Sequence, residues 1–350
     1  MAERWHSLDA LRALAVIFMM EVHLGFWWAR GLPDGSTLVG LGTILGGMAA
    51  PLFFVVAGAS LSVSARCRPD RFLERTARRG VALLIAGIVF TLMEMAIYGP
   101  WGWGVLQSLG ASLLLCGAAM RLGPTARAAA GIALMAVAPM LRGALGVPEL
   151  LYSNMMAGVS SPGGYAMSAL LSGFFPLIPW TGLMLVGTAA GDWSFPGEGK
   201  TAGFEQFRPV VLLAGFLILA GTVGDVRGLP LEFFPPSMPF AFLTSGICVA
   251  ALAVLCLPWG RPAPAALARP LTALGRLSLT IFVAHHIIGY SLFGALGLLN
   301  SFDLAAALAM VILSWALAAA VSLVWARKGF RYSLEWLVGL LEGRPSKQNI

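Results

Sequence analysis

Charge is what this sequence has least of. Of its 350 residues, 11% are Asp, Glu, Lys or Arg, against roughly 25% in soluble domains. That scarcity excludes an ordinary cytosolic enzyme, a charge-rich disordered chain and a fibrous one. Cysteine is scarce too: Cys67, Cys116, Cys248 and Cys256 are the only ones, none in C-x-x-C spacing. Neither a disulfide framework nor a zinc motif is indicated. Repeats, low-complexity tracts and long linkers are missing as well, so residues 1–350 read as a single domain. What the chain does have is apolar surface, with 58% hydrophobic residues and a mean hydropathy of +0.83. It comes in runs of about 17–25 residues, the length that carries a helix across a bilayer core.

Ten runs are expected to span: 10–29, 40–64, 80–98, 104–120, 125–141, 169–191, 209–224, 240–257, 277–297 and 304–325. The fold class is therefore all-α, a polytopic integral membrane protein. With both termini cytoplasmic, Arg30, Arg142 and Arg227 are the only bases outside, leaving 20 of the 23 Lys and Arg residues inside. This is a strong positive-inside asymmetry, and it accounts for the net charge of +7 without any nucleic-acid partner. The first run is too long for a signal-peptide core, carries Glu21 and His23, and lacks an A-x-A site, so it counts as a span. The longest outer loop, 142–168, is expected to be irregular around Ser160-Ser161-Pro162-Gly163-Gly164. The longest inner loops are 65–79 and 192–208. Residues 330–341 read as a short amphipathic helix in the inner interface. The expected location is the inner cell membrane.

Ionisable groups inside spans are costly and mark function by default. They are Arg12, Glu21, His23, Glu94, His285 and His286. Arg12 and His23 are close to three helical turns apart, so they share one face about 16 Å apart along the axis. Glu21 points about 200° away from His23. Glu94 matches His23 in depth and is the expected partner for its imidazole, as carboxylates are in catalytic triads. His285 and His286, as neighbours, point about 100° apart and lack the i, i+4 spacing of a metal pair. They are expected to bind substrate or to pack between helices, and no metal is expected. The arginines between 66 and 79 have a bland reading as a stop-transfer and anionic-lipid contact. A proton-coupled transporter or flippase is the alternative that intramembrane His and Glu residues raise, although no paired broken helices or inverted repeats accompany them.

Several segments resemble a known family. SLDALRALAVIFMMEVH (residues 7–23) is similar to the first-helix signature of the acyltransferase 3 family, an Arg followed by ten residues and a His, here Arg12 and His23. PLFFVVAGAS (51–60) resembles its FFxxSG segment, with Ala57 where serine is usual, and Arg75-Thr76-Ala77-Arg78 fits its R-x-x-R. FPLIPWTGLMLVGTAAG (175–191) is similar to a segment of the heparan-alpha-glucosaminide N-acetyltransferase catalytic family. GRLSLTIFVAHH (275–286) resembles a late helix shared across the superfamily.

The resemblance implies a membrane-bound O- or N-acyltransferase. Such an enzyme takes an acyl group, usually acetyl, from cytoplasmic acyl-CoA and delivers it to a sugar hydroxyl or amine on the far side. The residues fit that chemistry. Arg12, Arg71, Arg75, Arg78 and Arg79 are candidates for the CoA phosphates. His23 is the candidate base or nucleophile, with Glu94 as its orienting acid. Ala57, together with Ala13 where glycine commonly follows the first-helix Arg, also leaves room for an inactive membrane scaffold.

Overall fold

The computed structural model describes residues 6–31, 42, 44–93, 102–147, 162–195, 204–229, 231–256 and 265–342. The described residues contain no β-strand, only an isolated bridge between Ala29 and Phe302. Among the described residues, eight helices are long and apolar enough to cross a membrane, and a bent pair, counted as one span, makes a ninth. The 15-residue apolar helix Val105–Ala119 stands where the fourth run was expected. Each expected run thus contains a helix among the described residues, and the all-α reading holds.

The chain divides into two compact units, one of residues 1–53 and 259–350, the other of residues 54–258. The first contains α1 (His6–Trp28), and the second takes in most of α2 (Ala49–Cys67). The second continues with α3 (Phe72–Met93), α4 (Val105–Ala119), α5 (Pro124–Ala144) and α6 (Pro162–Met167). It ends with α7 (Leu177–Ser194), α8 (Phe204–Val226) and α9 (Met238–Cys256). The first unit resumes with α10 (Ala265–Arg276), α11 (Ser278–His286), α12 (Leu304–Arg327) and α13 (Leu334–Leu341).

Several expected boundaries move, each for a local reason. The third span begins at Phe72, not residue 80, so Arg75, Arg78 and Arg79 lie on its first turns. Arginine is a good helix former, and the inner loop shrinks to the four residues between Cys67 and Phe72. The sixth span starts early and breaks. α6 passes into a π-turn over Ser168–Ser172, and α7 leaves it at 41°, because Pro176 and Pro179 carry no N–H to continue the ladder. Pro162-Gly163-Gly164 is helical, not irregular, with Pro162 at the start of α6, a position that suits proline because its missing N–H has no intrahelical partner there. The C-terminal amphipathic helix starts at Leu334, not 330. Gly329, Phe330 and Tyr332 all have left-handed backbone, and the Ser333 side chain caps the helix by accepting from Trp336 N. α10 was not foreseen at all; it occupies what read as an inner loop.

In the second unit α2 and α7 pack backbone to backbone. A Cβ on Gly58 would overlap the Met184 carbonyl, and one on Gly187 the Val55 carbonyl. Small residues allow this approach in apolar surroundings, where packing has to replace the hydrophobic effect. In the first unit α10 docks on the start of α1 in the same way, Gly275 lying against the Asp9 carbonyl. That contact lies three residues before α11 begins at Ser278.

Candidate active site

α1 carries His23 and Trp27 one turn apart on the same face. Its C-terminal end is held from both sides. The Trp28 indole N–H donates to the Gly289 carbonyl over 2.9 Å, and the backbone N–H groups of Asn300 and Phe302 donate to the carbonyls of Trp27 and Trp28. α11 carries His285 and His286 in its last turn and continues as a π-turn over Ile287–Leu292. π-turns inside helices are frequent at functional sites.

These elements bring three imidazoles together. His23 Nδ1 lies 2.9 Å from His285 Nε2. The ring centroids are 5.2 Å apart and the planes differ by 5°. That separation equals the N···N contact plus one ring radius on each side, the longest it could be. The two rings are therefore coplanar and end to end, joined by a near-linear hydrogen bond, not stacked face to face. His285 Nδ1 lies 3.1 Å from the Ile281 carbonyl. A carbonyl only accepts, so Nδ1 of His285 carries its proton. In a neutral ring Nε2 then has only a lone pair, and the proton between the rings belongs to His23 Nδ1. The same logic leaves His23 Nε2 as a bare base. The tautomers follow from the hydrogen-bond partners.

His286 closes the cluster edge-on, 5.1 Å from His23 and 4.4 Å from His285 between centroids. Trp27 lies nearly parallel to both members of the bonded pair, at 5.2 and 5.8 Å, and Tyr290 packs against it with its ring tilted. His285 and His286 are buried, while His23 keeps partial exposure. The ring with the bare nitrogen is the one that something else can reach.

The three histidines present nitrogens within 4.8 Å of one another, a spacing from which a metal ion could be held. The directions of the lone pairs argue otherwise. An ion between His23 Nδ1 and His285 Nε2 sits about 2.0–2.1 Å from each, which along their common line requires roughly 4 Å between the nitrogens. They are 2.9 Å apart and aimed at each other. That is the geometry of a shared proton.

The other expected residues fall as follows. Glu94 lies outside the described residues, and the described partner of His23 is His285. Arg12 donates to Asp9 over 2.7 Å, a buried carboxylate one turn before it that the i, i+3 spacing could have revealed. Arg71, with left-handed backbone, is exposed; Arg78 pairs with Glu74, and Arg75 and Arg79 share the same helical turns. Spacing alone missed that two neighbouring histidines can flank one third ring.

A family model described as "Heparan-alpha-glucosaminide N-acetyltransferase, catalytic" matches residues 4–222, well over half of the chain. The chain belongs to this family. A second model, "Protein of unknown function (DUF418)", matches residues 204–339. No curated protein matches the sequence. The family suggests acetyltransferase activity by a membrane protein, with acetyl-CoA as the family's donor. Within it, the bonded pair joins the two matched regions: His23 lies in the first and His285 in the second.

Proposed function

We propose that the protein transfers an acyl group, acetyl by family, from cytoplasmic acyl-CoA to a hydroxyl or amine of a sugar or glycan-type acceptor on the outer side of the inner cell membrane, with His23 as general base. The observation that carries this reading is the linear His23–His285 hydrogen bond, which leaves one accessible imidazole with a bare Nε2. In the transfer step the acceptor's O–H or N–H proton moves to His23 Nε2, and the acceptor atom bonds to the acyl carbon. The C–S bond breaks, and CoA leaves as the thiolate and is then protonated. As His23 gains charge, its Nδ1–H bond to His285 becomes charge-assisted and strengthens. A neutral His285 thereby does part of what a triad carboxylate does. Low water content around the pair slows hydrolysis of the thioester. Arg71, just before α3, and Arg75, Arg78 and Arg79 on its first turns offer the CoA phosphates charge-assisted partners. Arg12, already paired, is the weaker candidate.

The experiment is transfer of labelled acetyl from acetyl-CoA by the full-length chain in lipid nanodiscs, across a panel of amino- and hydroxyl-sugars. Acetyl transfer that disappears in folded His23→Ala supports the reading. Undiminished transfer by that variant, or no binding of acetyl-CoA to the wild-type chain, removes it.

A further inference from the structure

We infer that Glu335, on the C-terminal helix α13, is a positioning residue for the histidine pair, acting through the first turn of α11. The inference rests on the reading of the pair given above. α11 has no cap of its own, because its N-cap is Leu277, whose side chain makes no capping hydrogen bond. Glu335, 56 residues beyond Leu279, supplies one instead. Its Oε1 accepts from Leu279 N over 2.6 Å and from Thr280 N over 2.9 Å. Its Oε2 accepts from the Thr280 hydroxyl over 2.5 Å. The same hydroxyl accepts from Leu334 N, the first residue of α13, over 3.0 Å. Two helix N-termini thus meet around one carboxylate. Each brings roughly half a positive charge and unfilled N–H groups, so the negative charge between them is matched.

The turn that Glu335 holds is Ser278–Ile281, and the carbonyl of Ile281 is the acceptor that sets the His285 tautomer. The line of contacts therefore runs from the Glu335 carboxylate to the α11 turn, to the Ile281 carbonyl, to His285 and on to His23. α11 needs that outside hold. It has only nine residues and passes directly into a π-turn, so its own ladder changes register just beyond His286. A rotation by one residue would turn His285 by about 100° and separate it from His23. α1 is also held from outside α11, by Gly275 at one end and by the backbone N–H groups of Asn300 and Phe302 at the other. Loss of the cap is thus expected to move one partner of the pair and leave the other in place.

The test uses the full-length chain in lipid nanodiscs with ¹⁵N-labelled histidine. The chain has four histidines, which single substitutions assign. In the wild-type chain His23 and His285 are each expected to show one protonated Nδ1 and one bare Nε2. In Glu335→Ala both rings are expected to average between tautomers, and in Glu335→Gln, which keeps an acceptor oxygen, most of the wild-type pattern should persist. Acetyl transfer by Glu335→Ala should fall about tenfold, near the value of one charge-assisted hydrogen bond. The Glu335→Ala, His285→Ala double variant should be no slower than His285→Ala alone. If Glu335→Ala does not fold, Thr280→Val, which weakens the same clamp, is read in its place. Unchanged histidine signals in a folded variant, or additive losses in the double variant, overturn the inference. A chain that transfers no acetyl group but whose pair still loses its single tautomer in Glu335→Ala keeps the positioning role and removes the acyl-transfer reading.

Discussion

Each unit of the molecule contains a cluster of ionisable side chains set among apolar helices, and the two clusters differ in what they leave unspent. In the second unit Asp192, near the end of α7, lies between Arg66 and Arg127. Arg127 also donates to the Leu122 carbonyl and the Met120 sulfur, and Arg66 to the carbonyls of Gly191 and Phe195. Every nitrogen of both guanidinium groups has a partner, and two of those partners lie at the carbonyl end of α7, where a cation is favoured. This cluster ties together α2, α5, α7 and the turn before α5. In the first unit the histidine pair satisfies three of its four ring nitrogens among the described residues and leaves one lone pair on the accessible ring. Each cluster has a buried member, Arg127 in one and His285 in the other. Spare bonding capacity is what separates a site of chemistry from a clamp.

The sharpest way to break that contrast is to remove the spare lone pair. His23→Ala should lower acetyl transfer by about 10²–10⁴-fold, the range for a lost general base, while thermal unfolding stays near wild type. Comparable destabilisation and inactivation would make His23 a packing residue and erase the distinction. The reciprocal change is Asp192→Ala, which strands a buried arginine. It should cost about 3–5 kcal/mol of stability, as breaking buried ion pairs does, seen as a large fall in unfolding temperature, while the activity of the molecules that remain folded persists. Loss of turnover at unchanged stability would move Asp192 from the clamp to the chemistry.

A smaller effect separates the two members of the pair. His285→Ala removes the acceptor for His23 Nδ1–H but not the base itself, and should slow transfer by about 10–100-fold, the span of a hydrogen bond to a group that becomes charged. The loss should appear in kcat, not in KM for acetyl-CoA, because His285 is buried behind His23. Equal losses for His23→Ala and His285→Ala would mean that the pair acts as one unit.

The sequence reveals these features unevenly. The helices are legible because each apolar run is long and carries few charges, and the same physics that makes a run insert makes it helical. His23 is legible because an imidazole in such a run is costly. Its partner is not, because the contact joins residues 262 positions apart and spacing rules reach only a few turns. Depth matching singled out Glu94, a carboxylate, since depth is the only long-range coordinate that a span offers. α10 stayed hidden because Arg269, Pro270 and Arg276 read as loop, although it is amphipathic and docks through Gly275. Glu335 resembled any other charge on an interfacial helix. Only the two helix ends that meet around it give it a role.

The smallest expected effect is none, and it tests the contrast at its weakest joint. Three imidazoles with nitrogens within 4.8 Å of one another share the composition of a catalytic zinc site, so the clamp-and-base comparison stands only if the cluster holds a proton where an ion could have been. Acetyl transfer should survive prolonged dialysis against a chelator, and metal analysis of the active protein should find far less than one equivalent. His286 decides the matter further. It completes any three-histidine ligand set, yet it takes no part in the bond between His23 and His285. Under proton sharing His286→Ala should cost little beyond packing, whereas under ligation it should release the ion and abolish transfer as fully as His23→Ala. A stoichiometric metal lost in His286→Ala would turn the bare nitrogen of His23 into a consequence of an incomplete ligand set, and the base would have to be sought in a bound water.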